Sequence, residues 1–217
     1  MTLKVLKPGI LTTIQDLGRI GSQKYGVIAG GCMDTFAAKA ANILVLNDPR
    51  AALLEMTVIG ATIQFQRDHV IALCGHGFQP LLDGEALPGW RAVFVRAGAT
   101  LHVGPARAGT RCYLAIAGGV NVPEVMGSRS TYLRAEIGGY KGRALQTGDE
   151  LEAGPLSTRQ KEFFPAPHSS GQSSMPLSAE VSPHIRPPYS QAPTIRFVRG
   201  AHYEKFDERS HQQLETA

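Results

Sequence analysis

The run Gly9-Ile10-Leu11-Thr12-Thr13-Ile14-Gln15-Asp16-Leu17-Gly18-Arg19 decides the reading of the fold. Residues 11–14 form a β-like stretch, entered through the turn pair Pro8-Gly9 and left through a polar turn that contains a glycine. The pattern recurs at 3–6, 53–57, 62–65, 70–74, 91–95, 100–103 and 111–117, where Val, Ile, Leu, Thr and aromatics are bounded by Gly, Pro and Asp. Leu81-Leu82-Asp83-Gly84-Glu85-Ala86-Leu87 sets Asp-Gly between apolar pairs, a strong hairpin signal. Short strands at this spacing predict a mainly antiparallel β-barrel or sandwich over residues 1–154.

One helix interrupts the strands. Asp34 suits an N-cap, since its carboxylate can accept orphan backbone N–H groups and oppose the helix dipole. Phe36, Ala40, Ile43 and Leu44 recur at three- and four-residue steps and are expected to share one face. Asn47, which tolerates left-handed geometry, and Pro49 end the helix. Met33-Asp34 thus lies where a loop enters a helix, a place suited to a polar ligand.

Beyond residue 154 the composition changes. Pro, Ser, His and Gln dominate 155–193 (Pro165, Pro167, Ser173, Ser174, Pro183, Pro187, Pro188), and a flexible linker is expected. Thr194-Ile195-Arg196-Phe197-Val198-Arg199-Gly200 reads as a strand opening a second unit over 194–217, with a helix beginning at Phe206.

The chain has 217 residues, 43% of them apolar and 18% charged, enough to bury a core. A net charge of +4 with no Lys/Arg run, and a single Trp, argue against nucleic acid as a partner. Cys32, Cys74 and Cys112 form no C-x-x-C pair, so neither a zinc site nor a disulfide framework is indicated, and their odd number suits a reducing compartment. The first eight residues lack the apolar core of a signal peptide, and no apolar run approaches the ~20 residues of a membrane span. A cytoplasmic protein without membrane contact is expected.

The candidate chemistry lies on turns, where side chains held by a rigid sheet are free to bind. Gln15, Asp16 and Arg19 read first as a turn capped by Asp16 and paired with Arg19, and second as a carboxylate and guanidinium that bind an amide or carboxylate substrate. Glu55 sits in Leu53-Leu54-Glu55-Met56-Thr57 on the face opposite Leu54 and Met56, either as a partly buried acid or facing solvent. Cys74-Gly75-His76 suggests a nucleophile pair, but no supporting acid is evident, and Cys74 reads first as core. Ser128, Ser130 and Thr131 offer hydroxyls beside Arg129, for a ligand or for turns alone. Gly138-Gly139-x-x-Gly142-Arg143 only loosely resembles a phosphate cradle, since the P-loop and G-x-G-x-x-G patterns are absent.

Together these motifs resemble a known family. They are Leu11-Thr12-Thr13-Ile14-Gln15-Asp16-Leu17-Gly18-Arg19, Gly31-x-Met33-Asp34, Ala41-Asn42-Ile43-Leu44-Val45, Leu54-Glu55, Arg111-x-Tyr113-Leu114-Ala115-x-Ala117-Gly118-Gly119, Gly127-Ser128-Arg129-Ser130-Thr131 and Gly148-Asp149. In this order through residues 4–151, the set closely resembles the biotin-dependent carboxyltransferase, or allophanate hydrolase subunit 2, family. Its members include the C component of 5-oxoprolinase, an antagonist of a sporulation-kinase inhibitor, and part of urea carboxylase. The resemblance implies two cyclophilin-like β-barrel halves, the first complete here and the second beginning near Ile195 and cut off. Leu46 stands where the family usually has glycine before Asn47, and Cys74-Gly75-His76 replaces a commoner Thr-Gly-Ala.

The resemblance further implies ATP-dependent hydrolysis of 5-oxoproline to glutamate, in a complex with a B-type partner component and a ring-opening A-type component. Asp16, Glu55 and Arg143 are then the expected catalytic residues. Gln15, Arg19, Met33, Asp34, Arg111, Ser128, Ser130, Thr131, Gly138 and Gly139 are expected around a small amide or lactam. Two alternatives remain: a carboxyltransferase component that takes CO2 from a biotin carrier in a urea carboxylase system, and a non-catalytic protein that binds a sporulation-kinase inhibitor.

Overall fold

The computed structural model describes residues 2–164, 173–190 and 192–216. Two six-stranded antiparallel sheets enclose one core. In chain order the elements are β1 (Leu3–Lys7), β2 (Leu11–Gln15), α1 (Thr35–Leu44), β3 (Leu53–Thr57), β4 (Thr62–Phe65), β5 (His69–Gly75), β6 (Leu81–Leu82) and β7 (Glu85–Ala86). There follow β8 (Arg91–Val95), β9 (Thr100–His102), β10 (Arg111–Ile116), β11 (Glu150–Leu151), α2 (Thr158–Phe163), β12 (Ser174–Glu180) and α3 (Glu208–Thr216). One sheet runs β11-β1-β4-β9-β6-β7 and the other β12-β8-β5-β10-β3-β2.

Period-two alternation explains the core. Leu54 and Met56 of β3, Leu114 and Ile116 of β10, and Ile71 and Leu73 of β5 face inward against Leu3, Val5, Ile63, Phe65 and Leu101 of the first sheet. The expected hairpin forms, with Leu82 paired to Glu85. Asp83 (φ 48°) and Gly84 (φ 88°) both take the positive φ that a two-residue turn of this kind requires.

The other face of the second sheet is covered by α1. Its N-cap is the expected one, with the Asp34 carboxylate accepting the Ala37 amide at 3.0 Å. Its buried face is not. Ala37, Ala38, Ala41 and Leu44 face the sheet, while Ile43 and Phe36 are exposed. The helix lies over bulky Tyr113, Phe94 and Trp90, and alanines let its axis approach them. The left-handed residue at its end is Leu46 (φ 56°), not Asn47. Asn47 instead uses its side chain, donating to Asn42 Oδ1 and the Ile116 carbonyl and accepting from the Gly118 amide.

The segment expected as a linker holds two elements. Ser157 and Gln160 form a capping box that starts α2, and β12 pairs with β8. That pairing is irregular between Pro176 and Glu180, since Pro176 has no N–H for the ladder. Residues 165–172, including Pro165 and Pro167, lie outside the described residues. No strand forms at 194–200, expected to open a second barrel, because these residues are exposed and find no partner strand among the described residues. A helix does follow, as α3. Among the described residues no helix is long and apolar enough to cross a membrane.

Candidate functional site

The turn after β2 is a brace. Asp16 Oδ1 accepts the Ser128 hydroxyl at 2.7 Å, the Ser130 hydroxyl at 2.5 Å and the Gly18 amide at 2.8 Å. Its Oδ2 accepts the Arg129 amide at 2.5 Å. Burial opposes the charge, yet these donors outweigh it and hold the carboxyl below its usual value. Asp16 is therefore held as an anion that joins two loops. Ser128 and Ser130 are spent in holding it.

Arg19 is fully enclosed and touches no solvent. Its Nε donates to the Val125 carbonyl at 2.8 Å and Nη2 to the Ser130 carbonyl at 3.0 Å. Gln15 and Thr131 are also internal: Gln15 Nε2 donates to Thr13 Oγ1, and Thr131 Oγ1 to the Ile14 carbonyl. All three point into the fold, because the loop at 128–131 lies over the end of β2, though Gln15 Oε1 and Arg19 Nη1 find no hydrogen-bond partner there.

Gly138 and Gly139 serve close packing. A Cβ on Gly138 would lie 2.2 Å from the Ser130 carbonyl oxygen, and one on Gly139 1.9 Å from Thr131 Oγ1. The Gly139 amide is used by the Arg129 carbonyl at 3.0 Å. Arg143 grips Asp149 through two bonds of 2.7 and 2.8 Å, which lowers the Asp149 pKa. It closes its own loop.

The structure brings Met33, Asp34, Glu55 and Arg111 together on the helix-covered face of the second sheet. Register places Glu55 opposite Thr13 on one side and Tyr113 on the other. Glu55 Oε2 accepts the Met33 amide at 2.9 Å and the Tyr113 hydroxyl at 2.8 Å. The Tyr113 oxygen in turn accepts the Asp34 amide at 2.7 Å. Burial and the Glu55 charge push the Tyr113 pKa up, so it remains a donor. Arg111 Nε lies 3.6 Å from Glu55 Oε1. The open question about Glu55 is resolved: it is 9% exposed, held by donors, beside Met33, which is 70% exposed.

Two tyrosines escaped the sequence reading. Tyr113 had a signal, since Arg111-x-Tyr113 puts both side chains on one strand face. Tyr189 had none: its hydroxyl reaches Asp34 Oδ2 at 2.5 Å from 155 positions away, and its ring stacks on His76. Cys74 is core, as expected, and burial pushes up all three thiols.

A separate cleft of about 720 Å3 opens at the end of β2 and β10. Asp16, Gly18, Gly119, Asn121, Gly127 and Arg129 are among its walls, so three of the glycine-bearing turn motifs meet there.

The model of the carboxyltransferase domain, subdomain A and B, matches residues 25–217. The chain belongs to this carboxyltransferase-domain family. It is 44% identical over 153 residues to the 5-oxoprolinase C component of Escherichia coli, covering 70% of this chain and 49% of that protein. It is 38% identical over 180 residues to urea amidolyase of Saccharomyces cerevisiae, covering 82% of this chain and 10% of that one. The crystal structure of the K. lactis urea amidolyase superposes with a TM-score of 0.70 at 36% identity, over 79% of this chain and 10% of that chain. The chain thus spans about half the length of the 5-oxoprolinase relative and a tenth of the urea amidolyases. The family and the mainly β fold are those the motifs led us to expect.

Proposed function

We propose that the chain is part of the C-type component of an ATP-dependent 5-oxoprolinase, converting 5-oxoproline to glutamate with a B-type partner component and a ring-opening A-type component. The observation that carries this reading is the 44% identity to a 5-oxoprolinase C component over half of that protein. The site supports amide chemistry by positioning and charge rather than by a nucleophile. A lactam is resonance-stabilised, and opening it needs fixed donors and acceptors near its carbonyl. Glu55 and Arg111 supply one of each, while the three thiols are buried and protonated.

ATP belongs to the reaction, but the glycine run at 138–142 does not fit its phosphates. The Gly139 amide is already spent and Gly138 is packed against a carbonyl. We assign nucleotide handling to another part of the complex. Cytoplasmic residence follows from the same reading.

A second reading has its own support. The match to yeast urea amidolyase extends over 180 residues against 153 for the 5-oxoprolinase relative. On that reading the chain belongs to a carboxyltransferase that moves CO2 from a biotin carrier to urea. The test is a reconstitution of the full-length protein with B-type and A-type components, 5-oxoproline and ATP, followed by glutamate release. Absence of glutamate with partners shown to be competent overturns the first reading. Bicarbonate-dependent turnover of urea with a biotinylated carrier would establish the second. Tight binding of a kinase inhibitor with no turnover would leave only the regulatory role.

A further inference from the structure

Glu55 uses its two oxygens unequally. Oε2 accepts both the Met33 amide and the Tyr113 hydroxyl. Oε1 accepts no hydrogen bond from the described residues, and Arg111 Nε at 3.6 Å is too far to make one. Arg111 is equally uneven. Its Nη1 donates to the Thr110 carbonyl at 3.2 Å, its Nε is enclosed without a hydrogen-bond partner, and its Nη2 has none among the described residues. The Glu55 and Arg111 side chains are 11% and 25% exposed. Register sets Glu55 opposite Tyr113 and Arg111 opposite Thr57, so the two are diagonal neighbours on one face of β3 and β10. A carboxylate oxygen with free lone pairs therefore sits beside a guanidinium N–H with no acceptor.

We propose that Glu55 Oε1 and Arg111 Nη2 form a subsite for the N–H/C=O edge of a small cis-amide or urea group. The ligand N–H donates to Oε1 and its carbonyl accepts from the guanidinium, both charge-assisted bonds. A lactam and urea each present an N–H beside a carbonyl on one edge, so the subsite serves either substrate considered above. A tertiary amide lacks the N–H and leaves Oε1 unpaired. Tyr113 and the Met33 amide act as positioning groups, since by occupying Oε2 they turn Oε1 toward the ligand. The ligand class rests on the amide-substrate reading; the pairing of donor and acceptor does not.

The test titrates 2-pyrrolidone, 5-oxoproline, urea and N-methylpyrrolidone into the full chain labelled at methionine methyl groups for NMR. Met33 reports the site, because its amide binds Glu55 and its side chain is exposed; the buried Met56 is the control. Saturable shifts of Met33 are expected with 2-pyrrolidone and urea and not with N-methylpyrrolidone. Glu55→Ala and Arg111→Ala should each weaken binding by about tenfold or more. Glu55→Gln and Arg111→Lys, which keep the packing, guard against misfolding and should also weaken it. Equal binding of N-methylpyrrolidone, no saturable shift with any amide, or wild-type affinity in the folded Gln and Lys variants overturns the subsite. Saturable, Glu55-dependent binding without glutamate formation in the reconstituted complex would keep the subsite and remove the oxoprolinase reading. Turnover unaffected by Glu55→Gln and Arg111→Lys would do the reverse.

Discussion

Asp16→Asn replaces one carboxylate oxygen with an NH2 at the most heavily bonded polar group of the β2 turn. Three donors converge on Oδ1 and can still be accepted by the Asn oxygen. The fourth, the Arg129 amide at 2.5 Å from Oδ2, would then face another donor. The loss is one charge-assisted hydrogen bond and the assistance in three others, at a site only 8% exposed. With bonds to a charged group contributing ~1.5–3 kcal/mol and a buried unpaired donor costing ~1–3 kcal/mol, the expected destabilisation is about 3 kcal/mol. For a chain of this size that is a fall in Tm of roughly 6–12 °C. Thermal melts followed by circular dichroism at pH 7 measure it.

The acid dependence adds a second check. The folded-state pKa of Asp16 is depressed, so its contribution is present above the unfolded value of 3.8 and is lost as pH falls below it. The gap between wild type and Asp16→Asn should therefore narrow below that pH. A variant that melts within about 1 °C of wild type while losing activity would refute the brace and restore Asp16 as a proton handler.

Three further outcomes are expected. Leu46→Gly removes a left-handed residue costing ~1–2 kcal/mol, offset by the ~0.5–1 kcal/mol entropy of glycine and the loss of a half-buried side chain. A net gain near 0.5 kcal/mol should raise the urea midpoint, whereas a loss above 1 kcal/mol would contradict the strain, on the same scales. His69, whose pKa burial and then Arg67 lower from 6.5 to about 4, binds fewer protons folded than unfolded. Stability is thus complete above pH 6.5 and falls toward pH 4, by at most ~1.36 kcal/mol per pH unit, and His69→Gln should flatten urea midpoints across that window. Cys32, Cys74 and Cys112 should resist a thiol reagent at pH 8 in the folded chain and react fully in denaturant; prompt labelling of any one would contradict its burial.

The strands were legible because alternation and turn chemistry are local. The Asp83-Gly84 hairpin and the Asp34 cap formed where their residues demanded. Hydrophobicity alone points to Phe36 and Ile43 as the buried face of α1, yet the alanines face the sheet. What decides that face is how closely the helix must approach a sheet carrying Tyr113 and Trp90. The start of α2 was readable in Ser157-x-x-Gln160, but the composition around it masked that box.

The sequence by itself determined the family, the β architecture and the set of polar turns, since each rests on residues close along the chain. It could not sort those turns into braces and contacts. Asp16, Arg19, Gln15 and Arg143 look reactive in isolation, and for the first three only pairing across more than a hundred residues showed that Asp16 Oδ1, Arg19 Nη2 and Gln15 Nε2 are engaged inside the fold, although Gln15 Oε1 and Arg19 Nη1 keep no partner there. Arg143 found Asp149 just six positions away. Glu55 and Arg111 differ because strand register sets a carboxylate and a guanidinium side by side, both partly open to solvent, with one oxygen and one N–H left over. Valence left unfilled is a property of the folded neighbourhood, and no local pattern encodes it.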